Sequence, residues 1–176
     1  RAKKRFDARI RPWYSAALAA DGPAWTDVYI AFTTGLPNVT ASLPVYDKTG
    51  NRLLGVCATD VVLPEEFRQF LKNLEIGKSG QAFVVDRSGH LISSSADEPL
   101  MVAEGETVEF LQATESSDSL VRGTARRLMG YFGQFSEIQR SQQLNFKLDG
   151  KRQFLQVLPF SDGFGLDWLI VVVVPE

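Results

Sequence analysis

A single cysteine in 176 residues excludes an internal disulfide, so the fold depends on packing and hydrogen bonding alone. Cys57 lies in an apolar, strand-like run and is expected to be a small buried side chain rather than a reactive thiol. There is one histidine, His90, and no set of carboxylates at ligand spacing. No metal site and no cofactor site is therefore recognisable. Neither sign of charge is in excess: the formal net charge is -2, from 19 Lys and Arg against 21 Asp and Glu. That balance gives no sign of a nucleic-acid partner. The basic cluster of Arg1, Lys3, Lys4, Arg5, Arg9 and Arg11 is interrupted by Asp7 and reads as a solvated face or a frayed end. Long apolar runs are missing too. Residues 169–174 fall short of the roughly 18 needed to cross a bilayer, and their β-branched character predicts a buried strand. The chain opens on Arg1 with no initiator Met and no signal-peptide pattern, as expected of a piece excised from a longer protein.

What is present is an ordinary globular composition, with length enough for one large domain or two small ones. Pro12 at a first helical position starts a helix that stops at Asp21-Gly22-Pro23. Residues 25–33 read as a strand. Val39, Ala41, Leu43 and Val45 alternate with Thr40, Ser42 and Pro44 in a half-buried strand, and residues 52–60 return across the turn Asp47-Lys48-Thr49-Gly50. A helix over 64–74 carries Phe67, Phe70, Leu71 and Leu74 at helical spacing and connects two units. The second unit repeats the vocabulary: strands over 81–86 and 90–94, a loop and short helix over 97–114, and a helix over 119–138 weakened by Gly130 and Gly133. Strands over 144–148, 152–160 and 168–174 complete it. This order is α+β, with antiparallel sheets flanked by helices. The expected division is 1–62, a connecting helix over 63–77, and 78–176.

Two places hold chemistry. In Arg11-Pro12-Trp13-Tyr14 a guanidinium stands beside two aromatic rings at a helix entrance. It offers a rigid fork that matches a carboxylate, while the rings supply apolar surface and polar tips. The other reading makes Trp13 and Tyr14 core and Arg11 a surface ion-pair partner. Asp60 ends a strand face formed with Leu54, Val56 and Ala58, where a carboxylate must be paired, hydrogen-bonded or turned to a cavity. Its alternative role is a cap before the next helix. Asp86, His90 and Ser93 to Ser95 contain the residue types of a hydrolase trio, but Asp86-Arg87-Ser88-Gly89 is a better hairpin turn than a nucleophile elbow, so no enzyme activity is expected.

Taken as a set, Phe6-Asp7-Ala8-Arg9-Ile10-Arg11-Pro12-Trp13-Tyr14, Trp25, Tyr29, Leu43-Pro44-Val45-Tyr46, Gly55-Val56, Asp60 and Phe83-Val84-Val85-Asp86-Arg87-Ser88-Gly89-His90-Leu91-Ile92 resemble the double Cache family. The resemblance implies two PAS-like (Cache) units, the N-terminal one incomplete because its long helix and opening strands are missing. It implies the extracytoplasmic sensor part of a membrane receptor, such as a histidine kinase, chemoreceptor or nucleotide cyclase, with flanking transmembrane helices outside this chain. A homodimer in the full-length receptor is the expected assembly. In the amino-acid-binding branch the matching positions are Arg11, Trp13, Tyr14, Tyr29 and Asp60, with Arg11 resembling the carboxylate binder and Asp60 the partner of an ammonium. Phe6 stands where that branch has a Tyr, and Ala31 where it has a second acid. The resemblance thus implies a small-molecule ligand in the membrane-distal unit, an amino acid or a simpler organic acid. The competing expectation is a ligand-independent ectodomain that dimerises or binds a protein partner.

Overall fold

The computed structural model describes residues 6–74, 76–77, 79–104 and 107–176. Two compact units are present, one ending at Val62 and including Asp162–Leu166, the other made of Leu63–Ser161 and Asp167–Glu176. Both combine antiparallel sheet with a few helices, which is the α+β class read from the sequence. No helix among the described residues is long and apolar enough to cross a membrane.

In the first unit a short 3-10 turn, Ala8–Ile10, leads into helix α1 (Pro12–Ala20). Asp7 caps the turn, its carboxylate accepting from the Arg9 backbone N–H at 3.0 Å. Pro12 takes the first helical position, and Asp21, at φ 47, ends α1 in the left-handed region. The residues expected as one strand over 25–33 form two short ones, β1 (Ala24–Trp25) and β2 (Tyr29–Ile30). Both pair with β3 (Pro37–Tyr46), whose other edge pairs with β4 (Leu53–Val62). The break has a physical cause. Thr26 interrupts the ladder by accepting the Thr40 N–H on its own hydroxyl at 3.0 Å, while its N–H donates to the Thr40 carbonyl at 3.1 Å.

Two further expectations are corrected here. On β3 the polar members Thr40 and Ser42 are buried along with Asn38 and Val39, whereas Leu43 is 47% exposed. Hydrogen bonds make this tolerable, Ser42 donating to the Ala24 carbonyl and Thr40 bonding as described below. Cys57 is exposed, not buried. Period two puts it on the face of β4 opposite to Val56, Ala58 and Asp60, and among the described residues β4 has a strand neighbour on one side only.

The second unit is built on a five-stranded antiparallel sheet ordered β6-β5-β11-β10-β9, with β5 (Gln81–Asp86), β6 (Leu91–Ser94), β9 (Gln142–Leu148), β10 (Lys151–Ser161) and β11 (Asp167–Pro175). Helix α2 (Pro64–Asn73) packs on β6 and β5. Helix α3 (Ser119–Phe132) closes the core, burying Val121, Ala125 and Leu128 against Phe83, Leu155 and Val171. Asp118 starts it, accepting from the N–H groups of Leu120 and Val121 at 2.8 and 2.9 Å. The helix expected to reach residue 138 stops at Phe132, because Gly133 at φ 78 caps it and a 3-10 turn, Phe135–Glu137, follows. The expected loop and short helix over 97–114 is instead a hairpin of β7 (Met101–Glu104) and β8 (Thr107–Phe110), then a 3-10 turn, Ala113–Glu115; residues 105–106 lie outside the described residues.

Candidate functional site

The register of β3 against β4 places Thr40 opposite Asp60, and β2 lays Tyr29 beside Asn38. On that side of the sheet, in the first unit, a cleft of about 370 Å³ is lined by Phe6, Arg11, Trp13, Tyr29, Ala31, Phe32, Thr33, Val56, Ala58 and Asp60. Its size suits a small molecule. Four of the five residues singled out in the sequence therefore meet there: Arg11, Trp13, Tyr29 and Asp60. Tyr14 is not among the lining residues; its ring packs edge-on against Trp13 at 5.7 Å between centroids.

Arg11 occupies the N-cap position of α1 but spends no side-chain bond on the cap. Its guanidinium carbon lies 4.1 Å from the centre of the Phe32 ring and 5.2 Å from that of Phe6. These faces attract the cation and take no hydrogen bond from it. Among the described residues the Arg11 side chain makes no ion pair, and its Nε is buried without a partner. The turn that follows β2 delivers Phe32, Ala31 N–H donating to the Leu36 carbonyl at 2.9 Å and Gly35 at φ 68 closing it.

The opposite end is acidic and organised by a residue that the sequence reading left as a simple strand position. Thr40 donates its hydroxyl to Asp60 Oδ1 at 2.6 Å and so must accept from Tyr29, whose phenol lies 2.8 Å away. Asn38 Nδ2 donates to Thr40 Oγ1 at 3.1 Å. Tyr29 and Asp60 are thereby oriented by one buried hydroxyl, and both present acceptor lone pairs to the cleft. Cross-strand pairing of Thr40 with Asp60 was the signal that would have found it. Phe6 and Ala31, which depart from the pattern of the amino-acid-binding branch, both line the cleft; Phe6 contributes a ring face to Arg11 in place of a hydroxyl.

In the second unit Asp86 clasps its own turn, accepting from the N–H of Ser88 at 2.8 Å and of His90 at 2.9 Å, with His90 Nδ1 also 2.9 Å away. No serine hydroxyl bonds to His90 among the described residues, and no cluster of three or more potential metal ligands is found among them. Cys57 is exposed and joins neither arrangement.

A model of the Cache domain matches residues 2–176. The methyl-accepting chemotaxis protein McpA of Pseudomonas putida is 34% identical over 96 residues, 54% of this chain and 15% of that protein. PctB of Pseudomonas aeruginosa is 26% identical over 171 residues, 97% of this chain and 23% of its own length. The chain thus spans less than a quarter of either relative. Among solved structures, the ligand-binding domain of PctB in complex with L-Arg superposes with a TM-score of 0.60 at 21% identity, covering 100% of this chain and 64% of that one. The ligand-binding domain of the Pseudomonas fluorescens chemoreceptor CtaA in complex with L-leucine gives 0.61 at 19% identity, over 99% and 62%. At such identities the likeness is one of fold.

Proposed function

Because the chain belongs to the Cache domain family, we propose that it is the extracytoplasmic ligand-binding part of a transmembrane chemoreceptor and that its first unit binds a small carboxylate bearing a second polar group, an amino acid or a hydroxy acid. The observation that carries this reading is Arg11: a half-buried cation over an open cleft, held by two aromatic rings, with a buried N–H and no hydrogen-bond or ion-pair partner among the described residues. A ligand carboxylate would satisfy that N–H and the charge together. At the other end Asp60 Oδ2 accepts no bond among the described residues, and Tyr29 retains a lone pair, so a donor on the ligand is complemented there. Trp13 would cover the ligand's apolar body, with Tyr14 supporting it from behind. PctB and CtaA were solved with amino acids, which agrees with a carboxylate at the Arg11 end. On the same reading the first unit is membrane-distal, the second membrane-proximal, and the full receptor works as a homodimer.

Calorimetric titration with amino acids, hydroxy acids, plain carboxylates and amines tests it. Binding is expected only for ligands with a carboxylate, strongest where a donor is also present, and Arg11→Ala should weaken it by at least roughly tenfold. Heat from amines alone, or undiminished binding by Arg11→Ala, would overturn the assignment.

A further inference from the structure

The second unit contains a groove that the first-unit cleft does not explain. It has a volume of about 410 Å³ and runs between α3 and the end of β9, lined by Ser119, Arg122, Arg126 and Arg127 on one side and Lys147 and Asp149 on the other. Four cations face one carboxylate in a chain whose formal net charge is -2. None of the four cations forms an ion pair among the described residues. Like charges at one-turn spacing on a helix repel, so the stability of α3 does not account for the cluster.

The arginines are held in place by groups that leave their charge intact. Arg122 donates to the carbonyls of Ser116 and Ser117. Arg126 Nε donates to the Thr114 carbonyl at 3.0 Å. Arg127 donates to the Tyr131 phenol at 3.1 Å with its guanidinium carbon 4.4 Å from that ring's centre. Each fork is anchored on one edge and keeps unspent N–H groups. At Gly123 a Cβ would stand 2.8 Å from Leu148 Cδ1, so the absent side chain leaves room for Leu148 to pack on α3 at the floor of the groove.

We propose that this groove binds a phosphate group. A monocarboxylate would leave most of the local charge uncompensated. A phosphate carries nearly twice the charge, and guanidinium forks match its oxygens two at a time. The phosphate could belong to a soluble ester or to an anionic lipid headgroup, and the chemistry of recognition is shared.

The test is a nitrogen-15 NMR titration of the chain with inorganic phosphate at low salt. Saturable shifts are expected for residues 119–127 and 147–149, without counterpart in a chloride titration of equal ionic strength. The double variant Arg126→Gln, Lys147→Gln should weaken binding by at least roughly tenfold. Lys48→Gln, in the first unit, should leave it unchanged. Co-sedimentation with phosphatidylglycerol vesicles, and not with phosphatidylcholine, lost in the double variant, would assign the phosphate to lipid. Phosphate binding without vesicle binding would assign it to a soluble ester. No saturable shift together with no vesicle binding, or a double variant that binds like the wild type, would overturn the proposal.

Discussion

Replacing Thr40 by valine keeps the shape of the side chain and removes one hydroxyl, on which three hydrogen bonds converge at 2.6, 2.8 and 3.1 Å. The losses are unequal. Asn38 is fully buried, so its Nδ2 would be left unpaired at a cost of about 1–3 kcal/mol. The half-buried Tyr29 phenol loses a neutral bond worth about 1 kcal/mol. Asp60 is exposed, and water replaces Thr40 there at little net cost. The first unit should therefore lose about 2–4 kcal/mol. Thr40→Ser, which keeps the hydroxyl and deletes one methyl, should lose only about 1 kcal/mol. Native-state hydrogen exchange at the amides of β3 and β4 reads this unit separately from the other. Thr40→Val also frees Tyr29 and Asp60 to reorient, so affinity for donor-bearing carboxylates should fall more than affinity for plain ones. A valine variant whose exchange matches the wild type, or a serine variant as damaged as the valine one, would show that the hydroxyl organises nothing.

Three other outcomes are expected. The Asp7 carboxyl is brought from 3.8 down to about 2, chiefly by its side-chain hydrogen bonds from Arg9 and then by the Arg9 backbone N–H. Its folded value lies below its unfolded one, so its contribution is present above about pH 4 and is lost as pH falls through about 2; a carbon-13 titration midpoint at 3.8 or higher would contradict the cap. Asp118→Ala removes both capping bonds of α3 and should destabilise the second unit by about 1 kcal/mol in chemical denaturation, while Asp118→Asn retains most of it. Cys57 should react with a thiol reagent in the folded protein nearly as fast as in denaturant, and protection in the native state would refute its exposure on β4.

Local rules made most of the fold legible. Proline at a helix start, the turn Asp47-Lys48-Thr49-Gly50 and the β-branched run over 169–174 marked elements by short-range signals alone, and the hairpin partners β3 and β4, like β9, β10 and β11, follow one another in sequence. The failures have different causes, and only one of them is tertiary contact overriding pattern. Thr26 broke a strand because Thr40, fourteen residues on, offered a better partner for its hydroxyl. β7 and β8 escaped notice because residues 101–110 lack alternation strong enough to distinguish a hairpin from a loop. At the candidate site, Arg11, Trp13, Tyr29 and Asp60 stood out by chemical type. Thr40 and Phe32 did not, since a threonine in a strand and a phenylalanine in a turn become informative only when register and turn geometry bring them to a charge.

That supporting pair explains why the cleft stays open. Arg11 and Asp60 line the same space with opposite charges, and yet no ion pair forms between them. Each has been given a different competitor. Phe6 and Phe32 hold the guanidinium by its faces, and Thr40 holds the carboxylate by one oxygen, while both leave the hydrogen-bonding edges unspent. Had the two charges paired, a zwitterionic or hydroxy-acid ligand would first have to break an interaction worth up to about 1 kcal/mol in so open a setting, and more as the cleft closed. On the proposed reading, two charges held apart would offer a ligand two complementary ends, with the ordering cost met on folding rather than on binding. Specificity for length would then follow from the same proposed arrangement: a carboxylate whose donor falls short of Asp60 would gain one end only.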